Sequence, residues 1–101
     1  MPAAAQVVHA VVWSPMAVAQ LQAIRIYIAQ FNPTAADTVA THLLMAGNSL
    51  EHFPHRGRAV PRTNMRELVT NYRYVIRYRV TRDATVRILR IRHTSRRPTN
   101  P

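Results

Sequence analysis

The stretch that decides the fold is Tyr72–Arg97, YRYVIRYRVTRDATVRILRIRHTSRR. Its first half alternates. Tyr72, Tyr74, Ile76, Tyr78 and Val80 share one parity, and Arg73, Val75, Arg77 and Arg79 share the other. A period of two in β-branched and aromatic residues predicts a strand with one buried face. Tyr74, Ile76, Tyr78 and Val80 are therefore expected in the core, and Arg73, Arg77 and Arg79 on the outer side. The step Thr81-Arg82-Asp83-Ala84 predicts a turn into a second strand, TVRILRIRH at 85–93. Most of the arginines of the chain lie on this hairpin or beside it.

Upstream, Gln6–Trp13 (QVVHAVVW) is a valine-rich run expected to form a first strand. Ser14-Pro15 then supplies a capping hydroxyl followed by proline at the first helical position. Ala17, Leu21, Ile24, Ile28 and Phe31 recur at spacings of four and three, an apolar helical stripe that Tyr27 widens. Asn32-Pro33 repeats the device and opens a second helix with the stripe Ala36, Val39, Leu43, Ala46 and Leu50. Its small residues Ala40 and Gly47 are expected to let the two helices approach closely. Phe53-Pro54 ends that helix, residues 54–63 form a loop, Arg66–Thr70 forms a short strand, and Asn71 turns the chain into the hairpin. The order β-α-α-β-β-β predicts an α+β fold, a helical hairpin packed on a small, mostly antiparallel twisted sheet. A single domain is expected over 1–101, with a flexible leader at 1–5 and tail at 98–101.

Composition narrows the chemistry. A chain of 101 residues buries roughly two-thirds of its unfolded surface and folds without staples. It has no cysteine, which removes disulfides and thiolate metal sites. Residues 1–55 carry Arg25 against Asp37 and Glu51, whereas residues 56–101 carry thirteen Arg against Glu67 and Asp83. A nearly neutral scaffold thus precedes a strongly cationic half, which suits a polyanion or an acidic protein segment. The first 24 residues are uncharged, but Gln6, His9, Ser14, Pro15, Gln20 and Gln22 interrupt any bilayer-spanning run, and no basic segment precedes it. A soluble, cytoplasmic protein without membrane contact is expected. His52 and His55 straddle Phe53-Pro54, where helical geometry breaks, and nothing nearby completes a zinc set. No metal and no cofactor are expected.

The residues in order resemble the RelE/ParE superfamily of bacterial toxins, and its ParE branch in particular. The resemblance is carried by Trp13-Ser14-Pro15 with Ala17, by Leu21, Ile24, Tyr27 and Ile28, and by Asn32-Pro33 with Ala35-Ala36 and Leu50. It continues through Phe53-Pro54-His55-Arg56-Gly57-Arg58, Arg66-Glu67-Leu68, Tyr74–Val80 and Ile88–His93, and so spans about residues 8–97. Two departures stand out: Gln20 where an acidic residue is usual before the first-helix Leu, and His93-Thr94-Ser95-Arg96 where His-Gly-Ala-Arg is usual.

The resemblance implies the toxin of a type II toxin–antitoxin system, of the kind associated with plasmid stabilisation, held inactive by a cognate acidic antitoxin. ParE-type toxins are associated with inhibition of DNA gyrase, and RelE-type toxins with ribosome-dependent cleavage of mRNA. A small basic nucleic-acid-binding domain is a further alternative, and direct contact with nucleic acid an option for all three. Cleavage at an internal 2′-hydroxyl needs a base, an acid and cations on the developing charge. The candidate nuclease set is His93 for proton transfer with Arg58, Arg77, Arg79 and Arg96 as the cations. The tail beyond Arg97 holds no Tyr, His, Asp or Glu, so the expectation leans to a toxin that binds rather than cuts, with no catalytic residue. Its antitoxin- or target-binding residues are then Arg56, Arg58, Arg73, Arg77, Arg79, Arg90, Arg92, Arg96 and Arg97. Alanine at both Arg77 and Arg79 is expected to change stability by about 1 kcal/mol at most, as for surface positions. Glu67 and Asp83, set among arginines, are expected to form structural ion pairs.

Overall fold

The computed structural model describes residues 8–95. Gln6, the leader and the arginines at 96 and 97 lie outside the described residues. Strand β1 spans Ala10–Trp13, helix α1 Pro15–Ala29, helix α2 Pro33–Asn48, β2 Arg58–Ala59, β3 Met65–Val69, β4 Tyr74–Val80 and β5 Thr85–His93. The sheet order is β1-β5-β4-β3-β2. Only β1 runs parallel to its neighbour, β5, and the other pairs are antiparallel. The architecture is α+β in the order β-α-α-β-β-β-β, with the helical hairpin on one face of the sheet. The added strand is β2, two residues inside the segment expected to be loop. Two residues are too few to display an alternation.

Both helices start where capping chemistry dictates. Ser14 Oγ accepts from Ala17 N at 3.0 Å, and Asn32 Oδ1 accepts from Ala35 N at 3.0 Å, with Pro15 and Pro33 occupying the position whose N–H would go unused. Helix α2 stops at Asn48, earlier than Phe53-Pro54, and Ser49–Glu51 tightens into a 3₁₀ turn. The α1 stripe stops at Ile28. Phe31 lies past the helix end, 74% exposed, edge-on to Tyr27.

The core forms between the hairpin and the sheet. Ala17 and Leu50 meet Leu68, Ile76, Tyr78, Val86, Ile88 and Ile91, with Val11, Trp13, Leu21, Ile24 and Ala46 packed around them. The small residue at 47 serves a different contact from the one expected. A Cβ on Gly47 would come to 2.7 Å from Trp13 Cη2 and 2.9 Å from Ile88 Cδ1. Its smallness brings α2 onto the sheet, not onto α1. Tyr78, fully buried, spends its hydroxyl on the loop before β2: it accepts from Gly57 N and donates to Pro54 O, both at 2.8 Å. Burial pushes its phenol above the ordinary 10.0, and the hydrogen bond from Gly57 and the charges of Arg66 and Arg56 offset part of that.

One irregularity decides which side chains of β5 face the core. Opposite β4, Arg77 pairs with Arg90 but Tyr78 pairs with Ile88, so Leu89 is an extra residue in β5. Strict alternation would place Arg87 on the same face as Ile91. The bulge shifts the phase, so Val86, Ile88 and Ile91 all enter the core while Arg87 and Arg90 are exposed. Helix α1 satisfies the backbone groups that the bulge leaves over. Ser14 Oγ donates to Leu89 O at 2.9 Å, and Gln20 Oε1 accepts from Ile91 N at 2.6 Å. Gln20 therefore performs an acceptor's task that a carboxylate would also perform.

Candidate functional site

The face of the sheet opposite the hairpin gathers the arginines. Cross-strand partners project to the same side, so the register places Arg58 and Glu67, then Arg77 and Arg79, then Arg87, Arg90 and Arg92 on this outer face. Six guanidinium groups share this face with one carboxylate, and three of them, Arg58, Arg77 and Arg92, reach it.

Glu67 is the hub. Its side chain is 6% exposed. Arg77 donates to Oε2 through Nε at 3.1 Å and Nη2 at 2.6 Å, Arg92 Nη2 lies 3.3 Å from the same oxygen, and Arg58 Nη2 stands 3.5 Å from Oε1. Burial alone pushes the Glu67 carboxyl up. Hydrogen bonds and charge from Arg77 and Arg92 outweigh that and hold it below its ordinary 4.5. The expected structural role of Glu67 holds. Asp83 differs: its hydroxyl partners are Thr81 and Thr85, and these hydrogen bonds, with the nearby charge of Arg87, hold its carboxyl low.

Beyond Glu67 the face has little compensation. Arg77 sits directly opposite Arg90, and Arg79 directly opposite Arg87. Like charges in such positions destabilise a sheet. Arg79 Nε is buried with no hydrogen-bond partner among the described residues.

The residues singled out from sequence divide into groups. Arg58, Arg77, Arg79, Arg90 and Arg92 share the outer face. Arg73 does not. It precedes β4, in the β3–β4 turn with φ of 63°, because the three-residue loop needs a left-handed position there. Arg56 lies on the hairpin side, donating to Ser49 Oγ at 2.8 Å. Arg96 and Arg97 fall outside the described residues. Arg87 escaped the sequence reading because strict alternation hides it; only the bulge turns it outward.

His93 is on the other side of the sheet from the arginines. Its strand partner is Tyr74, and the two rings meet edge-on at 5.1 Å between centroids. Ser95 N lies 3.2 Å from His93 Nδ1 and Ser95 Oγ 2.7 Å from the same nitrogen. The candidate nuclease set is therefore split, with Arg58, Arg77 and Arg79 on one face and the imidazole on the other.

Two clefts flank the hairpin where it overhangs the sheet. One, of about 430 Å³, is lined by Gln20, Ile24 and Tyr27 of α1 against Tyr74, Ile91 and His93. The other, of about 260 Å³, runs between Met45 and Ala46 of α2 and Leu68, Val69 and Tyr72, with Arg56 at its rim. Large apolar residues of the helices stay exposed along them, Tyr27 at 53% and Met45 at 64%. Among the described residues no group of three His, Cys, Asp or Glu side chains is placed to hold a metal ion.

Comparison with known proteins accords with this architecture. A solved chain of the chromosomal ParDE TA system from P. aeruginosa superposes with a TM-score of 0.76 over 87% of this chain and 98% of that one, at 22% identity. Toxin RelE2 of Caulobacter vibrioides is 51% identical over 86 residues, 85% of this chain and 96% of the relative. The family model described as ParE toxin of type II toxin-antitoxin system, parDE, matches residues 11–98. With that match spanning nearly its whole length, the chain belongs to the ParE toxin family of type II toxin–antitoxin systems.

Proposed function

We propose that this toxin acts by binding a DNA gyrase-type topoisomerase and stalling it, without cutting nucleic acid itself, and that a cognate acidic antitoxin silences it in the cytoplasm. The observation that carries the reading is the family match over residues 11–98. Geometry supports the non-enzymatic half. A phosphoryl-transfer site needs its proton-transfer group and its cations around one phosphate, and here His93 and the arginine cluster occupy opposite faces. The antitoxin reading rests on two complementary surfaces. Arg56, lining one cleft, suits a carboxylate, and both clefts with their exposed apolar neighbours suit the apolar side of an amphipathic segment. No helix among the described residues is long and apolar enough to cross a membrane.

The test is a supercoiling assay with purified gyrase. The free toxin is expected to block supercoiling or trap cleaved DNA, and equimolar antitoxin to restore activity. A second reading, RNA cleavage, draws on the relative named Toxin RelE2. Gyrase unaffected at saturating toxin, with ribosome-bound mRNA cut instead, would establish it. His93→Ala separates the two in cells: growth arrest persists under the first and disappears under the second.

A further inference from the structure

We propose that the outer face of β4 and β5 is a seat for the phosphodiester backbone of nucleic acid, formed by Arg77, Arg79, Arg87 and Arg90. The four stand as two directly opposed cross-strand pairs. Opposed partners lie roughly 5 Å apart across the ladder, and a two-residue step along a strand covers roughly 7 Å. The patch is therefore a compact strip of guanidinium groups held at sheet spacing. Its charge is only partly neutralised from within. Glu67 bonds Arg77 on the β3 side, Asp83 feels the charge of Arg87, and among the described residues the buried Nε of Arg79 has no hydrogen-bond partner. A fold that holds two opposed Arg pairs, at a cost to the free sheet, is arranged for an anion that supplies charge densely.

Phosphate fits this strip better than an acidic peptide does. A peptide segment needs apolar burial to offset its ordering, and that burial is on offer in the clefts on the hairpin side. On the outer face β4 and β5 present guanidinium groups, and Val75 among them is buried. Arg binds phosphate bidentately, and a polyphosphate chain repays such contacts by counterion release without burying carbon. No aromatic side chain of β4 or β5 shares this face, since Tyr74 and Tyr78 project to the other side. Bases would find nothing to stack on, so recognition should be of backbone and indifferent to sequence. The inference does not depend on whether gyrase or mRNA is the target, and it can fail while that reading stands.

The experiment is fluorescence anisotropy of labelled 20-nucleotide DNA, single-stranded and duplex, titrated with the full chain across a salt series. Binding of at least one is expected, with a slope of log affinity on log salt of roughly −3 for four phosphates on a single strand. Arg87→Ala with Arg90→Ala should cut that slope by about half and weaken binding by roughly tenfold at low salt. Both residues are exposed, and a thermal melt checks that the variant folds. Arg62→Ala with Arg82→Ala, two exposed arginines of loops, removes the same charge elsewhere and should leave affinity within about twofold. Equal losses in the two variants would reduce the effect to net charge and overturn the proposal. Displacement of the oligonucleotide by polyglutamate at equal charge concentration would also overturn it, reassigning the strip to a carboxylate partner.

Discussion

A single carboxylate organises the arginine face. Glu67 is nearly sealed from water and held by Arg77 through two nitrogens, so Arg77 is not the expendable surface residue that alternation alone implies. Removing it leaves the buried carboxylate with only the longer contacts of Arg92 and Arg58. Arg77→Ala is expected to destabilise by about 2–4 kcal/mol in chemical denaturation, whereas Arg90→Ala stays within about 1 kcal/mol. The pH dependence follows from the lowered carboxyl. The stability contributed by ionised Glu67 is fully present above its ordinary 4.5 and is lost as pH falls through its lower folded value. Glu67→Gln should therefore cost stability at pH 7 and flatten the loss of midpoint below pH 4.5 relative to the parent. That Glu67 would pair with arginines was legible in the sequence, since it is one of two acids among thirteen Arg. Which arginines it holds was not, because the choice depends on a cross-strand register that no local pattern encodes.

At the scale of elements, the helices were the most legible. Ser14-Pro15 and Asn32-Pro33 carry their caps in the sequence, and the structure uses each as chemistry predicts. The hairpin turns were legible in place but not in kind. Both β3–β4 and β4–β5 are joined by three-residue loops that begin after a threonine. Thr70 N bonds Tyr74 O, Thr81 N bonds Thr85 O, and the Thr70 hydroxyl also donates to Tyr74 O. Each loop ends on a left-handed residue, Arg73 at φ 63° and Ala84 at φ 63°. Glycine is the usual occupant, and its absence hid the geometry. Left-handed backbone costs a residue with a Cβ roughly 1 kcal/mol. Ala84→Gly is therefore expected to raise stability by about 0.5 kcal/mol once the extra freedom of the unfolded glycine is deducted, measurable as a small rise in Tm.

Over the whole molecule, charge and apolar exposure are segregated. The arginine face lies on one side of the sheet, and the clefts and exposed side chains of the hairpin lie on the other. A formal net charge of +10 on 101 residues strains the free protein by self-repulsion, most where Arg77 meets Arg90 and Arg79 meets Arg87. Salt should relieve it. Raising sodium chloride from 0.05 to 0.5 M, values chosen to shorten the Debye length by about threefold, is expected to increase Tm, and sulfate at equal ionic strength to increase it further by binding the folded face. A Tm that falls with salt would show that ion pairs such as Glu67–Arg77 outweigh the repulsion.

The bulge at Leu89 also constrains how a chain of this kind can change. Deleting that one residue would shift the phase of Thr85–Ile88, carrying Val86 and Ile88 into solvent and Arg87 into the core. Ser14 and Gln20, some seventy residues earlier, would lose the backbone groups they now satisfy. Variation on this sheet is therefore a matter of spelling and not of length. Arginines of the outer strip other than Arg77 can be exchanged one by one, while β5 and the start of α1 must keep their count together.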